Sequence, residues 1–349
     1  MTSLARDPVV LKLARDLGLS WRGDCLAHVR SFALERVARL IEGFPVENLD
    51  ALRRILANRL RMGIEFVRSE ADLGRIAQQY ASFDSSLGAR VHHEFLRSNT
   101  EGIVLQRQEY DATGIRYLAV IDARGERAVR AYFTAWHELA HLLIYPPQLA
   151  FPGFRRSPDP DNRKDPLEAV VDNVAGTVAF YEPIYGPAVE QAVLEHGRLS
   201  FAAIDSARSI AAPEASCFAA AIAAVRYADH PVLLVRIGLG LKKAQAREAR
   251  SGQGSFSFAP PEAPTLRALD VIGNDRVADS EFAIRRNMRV PVGSALETAF
   301  QSQVDCDFAA DENQSSWETS KAGSLPPLRI SVEAVRRGGH VYGLIGVQR

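Results

Sequence analysis

The segment Tyr132-Phe-Thr-Ala-Trp-His-Glu-Leu-Ala-His-Leu-Leu-Ile-Tyr145 decides the fold and the chemistry that the sequence predicts. Its two histidines, His137 and His141, are four positions apart, so on a helix both lie on one face. Imidazole nitrogens bind zinc at about 2.0–2.1 Å, and neighbours at this spacing can hold one ion together. Glu138 then lies beside the metal without ligating it, where it can take a proton from water. The alternative is two ordinary histidines on a well-packed helix.

Hydrophobic periodicity predicts that this motif lies on a helix from Val129 to Ile144. The segment contains no proline or glycine. Apolar residues recur in it with a period of about 3.6, the period of an α-helix; they are Val129, Phe133, Trp136, Ala140 and Leu143. This stripe is predicted to pack against the core, while Thr134, His137 and His141 share an adjacent face.

A second helix is predicted to begin at or after Pro166, and it offers a third metal ligand. Glu168 and Asp172 share one face of an otherwise apolar segment, and a buried carboxylate needs a partner. Glu168 would complete a His-His-Glu site, leaving the fourth position for water. Asp172 would accept a hydrogen bond from the second nitrogen of His137. The alternative is an exposed Glu168 favoured by the helix dipole, with Asp172 paired to an arginine. Asp165 is the next candidate for the ligand.

Composition narrows the class of protein. The 349 residues include 42 basic and 42 acidic side chains, so no global field recruits nucleic acid or an anionic membrane. Three widely spaced cysteines argue against a disulfide framework and for a reducing compartment. The N-terminus lacks a signal-peptide layout, and no long apolar run is present. These features predict a cytoplasmic protein of two or three domains.

The order of predicted elements divides the chain into five segments. Residues 1–60 are helical in pattern, and residues 61–195 combine a small sheet with the two helices of the metal site. Residues 196–240 hold two short helices and a strand. Residues 241–265, basic and then rich in Gly, Ser and Pro, are predicted to be a linker. Residues 266–349 are predicted to form a compact α+β domain.

Individual strands and turns are predicted from alternation and turn residues. Three strands precede the motif, at Gly63–Arg68, Gly102–Arg107 and Ile115–Ile121, and a loop over Pro146–Pro166 follows it. In the last segment the predicted elements are strands at Phe282–Arg289, Leu328–Val335 and His340–Val347, a helix at Ser294–Gln303 and a hairpin turn at Gly338-Gly339.

The two helices after residue 196, Leu199–Ser206 and Glu214–Arg226, have the outline of a helix-turn-helix. A helix that reads DNA presents Arg, Lys, Asn or Gln to base edges. The second helix here is almost wholly small and apolar. A packing or docking module is therefore favoured over direct base readout.

The segment from Arg130 to Asp172 resembles the ImmA/IrrE family of zinc peptidases. The resemblance rests on the Phe133–His141 motif and on Glu168-x-x-x-Asp172, which opens an alanine-rich helix. It implies a zincin-like metallopeptidase domain over residues 61–195. In that family the two histidines and the downstream glutamate hold the metal, and the glutamate of the first motif is the catalytic base. These roles fall on the following residues of this chain: His137, His141, Glu168 and Glu138.

One part of the family pattern differs. The helix that carries the third ligand usually ends in a Leu-Met-Pro-like sequence, and here it ends in Phe180-Tyr-Glu-Pro183. The resemblance therefore does not define the pocket wall beyond Asp172. The group that stabilises the oxyanion is not fixed by the motif either. Tyr181, Tyr185 and His196 are the candidates.

The order of domains resembles that of the radiation-response regulators of the same family, which carry a peptidase domain, a helix-turn-helix module and a GAF-like sensor domain. It implies an endopeptidase that cleaves a helix-turn-helix repressor in a stress, DNA-damage or mobile-element response. The cofactor would be Zn²⁺, with Mn²⁺ as the alternative. The C-terminal domain would bind an unidentified small-molecule or nucleic-acid effector. Residues 1–60 have no counterpart.

Two other functions fit the same sequence. The chain could be a metal-binding regulator without protease activity, which binds a transcription factor or DNA and leaves it intact. It could also be a ligand sensor in which the metal is only structural, so that metal removal would unfold the first domain.

Overall fold

The computed structural model describes residues 4–81, 85–96, 100–106, 114–145, 153–156, 165–242, 263–318 and 323–348. The chain is α+β, as predicted. It divides into two compact units, the first comprising Met1–Ala188 with Ala207–Ala220 and the second Val189–Ser206 with Ala221–Arg349. No helix within the described ranges is long and apolar enough to cross a membrane.

In the described residues before position 180, the first unit contains the helices α1 (Pro8–Asp16), α2 (Cys25–Ile41), α3 (Leu49–Arg59), α4 (Glu70–Ala81), α5 (Ser85–Leu96), α6 (Ala128–Ile144) and α7 (Pro166–Val178). Each of the first three helices is preceded by an N-cap residue whose side chain accepts a hydrogen bond from an N–H group of the first turn. This hydrogen bond determines where the helix begins. These caps are Asp7, Asp24 and Asn48. Helix α2 packs against both α6 and α7. The N-terminal helices are therefore part of the unit that contains the histidine motif.

The sheet of the first unit has four strands: β1 (Met62–Val67), β2 (Thr100–Gln106), β3 (Tyr117–Asp122) and β4 (Gly153–Arg156). Their order is β1-β3-β2-β4, with β1 and β3 parallel and the other pairs antiparallel. The three predicted strands are confirmed to within two residues.

The prediction of an uninterrupted loop over Pro146–Pro166 is wrong, because β4 lies inside it and pairs with β2. The four residues Gly153–Arg156 show no alternation, so the strand is specified by the backbone of its partner rather than by its own pattern. Residues 146–152 and 157–164 of the predicted loop lie outside the described part of the chain.

Helix α6 is confirmed, but it is not amphipathic. Its side chains are buried on nearly all sides from Ala131 to Ile144, because α2, α3, α7 and the sheet all pack against it. Val129, predicted to join the core-facing stripe, is 67% exposed in the first turn. A helix buried all round places its polar residues in the interior, and these polar residues then need partners.

Three helices follow: α8 (Glu182–His196), α9 (Phe201–Ala211) and α10 (Cys217–Tyr227). The last two are the predicted helix pair, and Arg208 bridges their turn by donating to the carbonyls of Pro213 and Ala215. Five residues of α10 are buried, which leaves little surface for reading bases; they are Ala220, Ala221, Ala223, Ala224 and Val225.

The second unit contains a five-stranded antiparallel sheet: β5 (Val232–Gly240), β6 (Thr265–Gly273), β7 (Cys306–Asn313), β8 (Arg329–Arg337) and β9 (His340–Val347). The order is β6-β5-β9-β8-β7. The predicted hairpin turn is confirmed, since Gly338 and Gly339 both have positive φ. Helix α11 (Ala295–Gln301) packs on this sheet. Strand β5, predicted within the helix-turn-helix segment, pairs with β6 and β9 and so belongs to the C-terminal sheet.

The strand predicted at Phe282–Arg289 is wrong. The chain turns at Arg286 and Asn287, and Asn287 has a φ of 71°, a conformation that asparagine tolerates better than most residues. Within the predicted strand Arg289 alone forms isolated bridges, to Arg267 of β6 and to Glu318. Strands β6 and β7 were not predicted. Residues 243–262, most of the predicted linker, lie outside the described ranges.

Candidate metal centre

Helices α6 and α7 bring three side chains with metal-ligating atoms to one point. Nε2 of His137 lies 3.0 Å from Nε2 of His141 and 3.0 Å from Oε2 of Glu168. Nε2 of His141 lies 3.6 Å from Oε1 of Glu168. The two imidazoles are almost fully buried, and the carboxylate is about one third exposed. The three residues form a cluster that could hold a metal ion.

The spacing of these atoms fits a tetrahedral ion. Bond lengths of about 2.0–2.1 Å at tetrahedral angles place neighbouring ligand atoms about 3.3–3.4 Å apart. The separation of the two Nε2 atoms and that between Nε2 of His137 and Oε2 of Glu168, both 3.0 Å, are slightly shorter than this value. The 3.6 Å separation from Nε2 of His141 is to the other carboxylate oxygen, Oε1. Two imidazoles and one carboxylate are also a donor set that zinc accepts with one position left for water.

Asp172 fixes the orientation of one imidazole. Its Oδ1 lies 2.8 Å from Nδ1 of His137. Because a carboxylate accepts and does not donate, Nδ1 of His137 carries a proton towards Asp172, and Nε2 is the ring nitrogen that faces Glu168 and His141.

The charges of the cluster favour an ionised Glu168. Burial raises the pKa of this carboxyl group, but the hydrogen bond from His137 and the charges of His141 and His137 outweigh it, so the pKa is lowered overall. An ionised carboxylate is the form that ligates a metal. Asp165, the alternative ligand, instead caps α7 by accepting a hydrogen bond from the N–H of Leu167.

Glu138 is fully buried, with 0% of its surface exposed. It follows His137 on α6, and Oε1 of its carboxylate faces the backbone of Gly102 on β2. The acid is thus enclosed between the helix that carries two of the cluster residues and the central part of the sheet.

Two residues beside the cluster were missed by the sequence-based prediction. The ring of Tyr145, at the end of α6, lies 5.9 Å from that of His141. Burial, followed by the nearby carboxylates of Glu168 and Asp165, raises the pKa of its phenol. The spacing of four residues between His141 and Tyr145 was the available signal. Arg36 of α2 donates to the carbonyl of Leu143 at the end of α6, and no pattern in the sequence predicts this contact.

The three predicted oxyanion candidates lie in different surroundings. Tyr185 is fully buried, and its hydroxyl donates to the carbonyl of Ala220. Tyr181 lies just beyond α7, and burial raises the pKa of its phenol. His196 belongs to the second compact unit, where its Nε2 lies 3.1 Å from Oγ of Ser206. The hydroxyl group of Tyr185 is therefore engaged by the backbone of α10, and the role of all three side chains stays a prediction.

Comparison with known proteins does not assign the chain to a family. No protein family matches the sequence, and no curated protein is significantly similar to it.

Proposed function

We propose that the chain is a zinc-dependent endopeptidase whose metal is held by His137, His141 and Glu168. The observation that carries the proposal is the convergence of these three side chains from α6 and α7, with an acid on the same helix buried beside one of them. A site that only stabilised the fold would have no use for Glu138 at this position.

Each residue of the site has a separate task in this proposal. Asp172 holds the ring of His137, so that one nitrogen is always available as a ligand. A bound zinc ion supplies Lewis acidity, which polarises the scissile carbonyl and acidifies a water molecule. Glu138 accepts the proton of the attacking water and delivers it to the leaving amine. Because its carboxylate is buried, its charge acts with little solvent screening.

The substrate in this proposal is a helix-turn-helix repressor, and the cleavage serves a stress, DNA-damage or mobile-element response. This part rests on the resemblance of the motif and domain order to the ImmA/IrrE family. We assign a zincin-like architecture to the first unit and a GAF-like one to the second, supported by the mixed sheet under α6 and by the five-stranded antiparallel sheet. An effector of the second unit is part of the same proposal.

The test compares the wild-type chain with Glu138→Gln, which keeps the size of the side chain and removes the base. Each protein is loaded with zinc and incubated with the helix-turn-helix repressor encoded nearest to its gene, and the products are mapped by mass spectrometry. We expect one cut by the wild type, no cut by Glu138→Gln, and equal zinc content in both. Cutting at the wild-type rate by Glu138→Gln would remove Glu138 from the mechanism.

The non-proteolytic alternative predicts a different result from the same pair. A regulator that only binds its repressor would leave it intact, and Glu138→Gln would have no phenotype in cells. Release of the repressed genes by the wild type but not by Glu138→Gln excludes that alternative.

A further inference from the structure

At Gly102 there is no room for a side chain between strand β2 and the side chains of Thr134 and Glu138 on α6. A methyl group added at Gly102 would lie 3.2 Å from Oε1 of Glu138 and 2.7 Å from Cγ2 of Thr134. Thr134 is buried and β-branched on a helix, so its side chain has little freedom to turn away. Strand β2 can approach α6 this closely only because residue 102 has no side chain.

The strand is irregular at the same place. Thr100 pairs with Arg156 of β4, but Gly102 pairs with Arg155, so β2 has one extra residue there and forms a β-bulge. Bulges occur next to active sites, where they redirect side chains. The extra residue, Glu101, is buried, and its Oε1 atom lies 2.5 Å from Nη1 of Arg130 in the first turn of α6. The bulge is thereby tied to the helix of the histidine motif.

A second arginine strengthens this attachment. Arg127, just before α6, donates to the carbonyl of Thr100 and pairs with the buried Asp122 at the end of β3. Thr100 and Glu101, the two residues before Gly102, are thus each bound to an arginine at the start of α6. These contacts fix how far the strand lies from Glu138, about two to three turns further along the helix.

From these contacts we infer that Gly102 is a positioning residue for the general base: the bulged segment of β2, which has no side chain at residue 102, is the surface that holds the carboxylate of Glu138 in place. This inference rests on the proposed function. The competing explanation is packing alone, in which Gly102 is needed only to avoid Thr134.

A double variant distinguishes positioning of Glu138 from packing alone. Gly102→Ala alone introduces both close contacts, whereas adding Thr134→Ser removes the methyl group that lies at 2.7 Å. The double variant keeps the contact with Glu138. If packing alone matters, the double variant behaves as the wild type. If Gly102 positions Glu138, the double variant recovers stability but not the function of the base.

The readout uses full-length protein loaded with Co²⁺ and titrated with acetohydroxamate, followed by visible absorption. Acetohydroxamate chelates a metal ion through its two oxygen atoms, and its hydroxyl group donates a hydrogen bond to a neighbouring carboxylate, here that of Glu138. We expect Gly102→Ala/Thr134→Ser to match the wild type in thermal unfolding and Co²⁺ affinity. Its Kd for acetohydroxamate should rise about tenfold, the effect of losing one hydrogen bond to a charged group. Glu138→Gln should show a rise of similar size.

Two controls complete the experiment. Thr134→Ser alone should leave the acetohydroxamate Kd unchanged. Gly63→Ala on β1 tests a glycine of the same sheet whose added methyl group would have its nearest contacts with side-chain atoms of Ile115 and Leu118, at 3.3–3.8 Å, and it too should bind acetohydroxamate normally.

The outcomes distinguish this inference from the proposed function. A wild-type Kd for Gly102→Ala/Thr134→Ser, together with a raised Kd for Glu138→Gln, overturns the positioning role and leaves the peptidase proposal standing. A wild-type chain that binds no Co²⁺, or a Glu138→Gln variant that binds acetohydroxamate as well as the wild type, overturns both.

Discussion

Nδ1 of His137 and Oδ1 of Asp172 lie 2.8 Å apart, although 35 residues separate them along the chain. The contact joins α6 to α7 at the level of the metal-ligand cluster. It selects the tautomer of His137 that directs Nε2 towards His141 and Glu168. The carboxylate of Asp172 therefore orients the ring of His137, although it is not one of the three cluster residues.

Removal of this carboxylate should weaken metal binding. We expect Asp172→Ala to lower the zinc affinity by about 10- to 100-fold, the usual effect of losing a partner of a metal-ligating histidine. Asp172→Asn keeps an acceptor oxygen and should lose less. Competition with a fluorescent zinc chelator measures both. Equal affinity in Asp172→Ala and the wild type would show that the ring of His137 is held by other contacts.

The N-terminal helices should stabilise the unit that carries the site. Arg36 of α2 donates a hydrogen bond to the carbonyl of Leu143, one of the groups that the end of α6 leaves without a partner in the helix. We expect Arg36→Met to lower the free energy of unfolding by about 1.5–3 kcal/mol, as for a hydrogen bond that involves a charged group. The exposed Arg39 on the same helix provides the control, Arg39→Met. Denaturant titration of both variants checks this, and equal stabilities would contradict it.

The buried acid at the end of β3 should make stability depend on pH. Burial raises the pKa of Asp122, but hydrogen bonds from Arg124 and Arg127 lower this pKa by a larger amount. The pKa of Asp122 in the folded state is therefore below its ordinary value. Its stabilising contribution is therefore complete above the pKa of the unfolded chain, about 4, and is lost as the pH falls through the lower folded-state value. Asp122→Asn removes the charge at every pH.

Thermal unfolding between pH 3 and pH 7 tests this dependence. We expect Asp122→Asn to be less stable than the wild type at pH 7 by about 3 kcal/mol, since two arginines lose their common partner. The difference should shrink towards pH 3. Glu126→Gln, at an exposed position nearby, should follow the wild-type curve. A constant difference at all pH values would mean that the charge of Asp122 does not stabilise the fold.

Tyr145 is placed to bind a group next to the cluster. Its ring lies beside His141, and burial together with the acids Glu168 and Asp165 keeps its phenol protonated. We expect Tyr145→Phe to retain zinc and full stability but to lower kcat for repressor cleavage by about tenfold, the effect of one hydrogen bond in the transition state. Unchanged kcat would exclude the hydroxyl group from the reaction.

Those residues of the site that are close together in sequence could be predicted. The histidine pair, the buried glutamate and the Glu168–Asp172 pair each lie within one helical turn, and helical geometry alone aligns them. Contacts across the fold were not predictable in this way. Gly102 and Arg36 meet α6 from a strand and a helix that are distant in sequence, and neither belongs to a local pattern.

The same distinction explains the errors in the fold. The strands of the hairpin at Gly338-Gly339 follow from their own alternation and turn, whereas β4 is defined by its pairing with β2. Strands β5 and β9 were both predicted as strands, but their pairing with each other, and the presence of β6 beside β5, could not be predicted, because local patterns do not specify strand order.

The most direct test of the account is the zinc content of the full-length protein after dialysis, measured by mass spectrometry of the metal for the wild type and for His141→Ala. The account predicts one zinc ion per wild-type chain and loss of that ion in His141→Ala, with the helical content unchanged. A wild-type chain without zinc, or a His141→Ala variant that still holds one ion per chain, would contradict it.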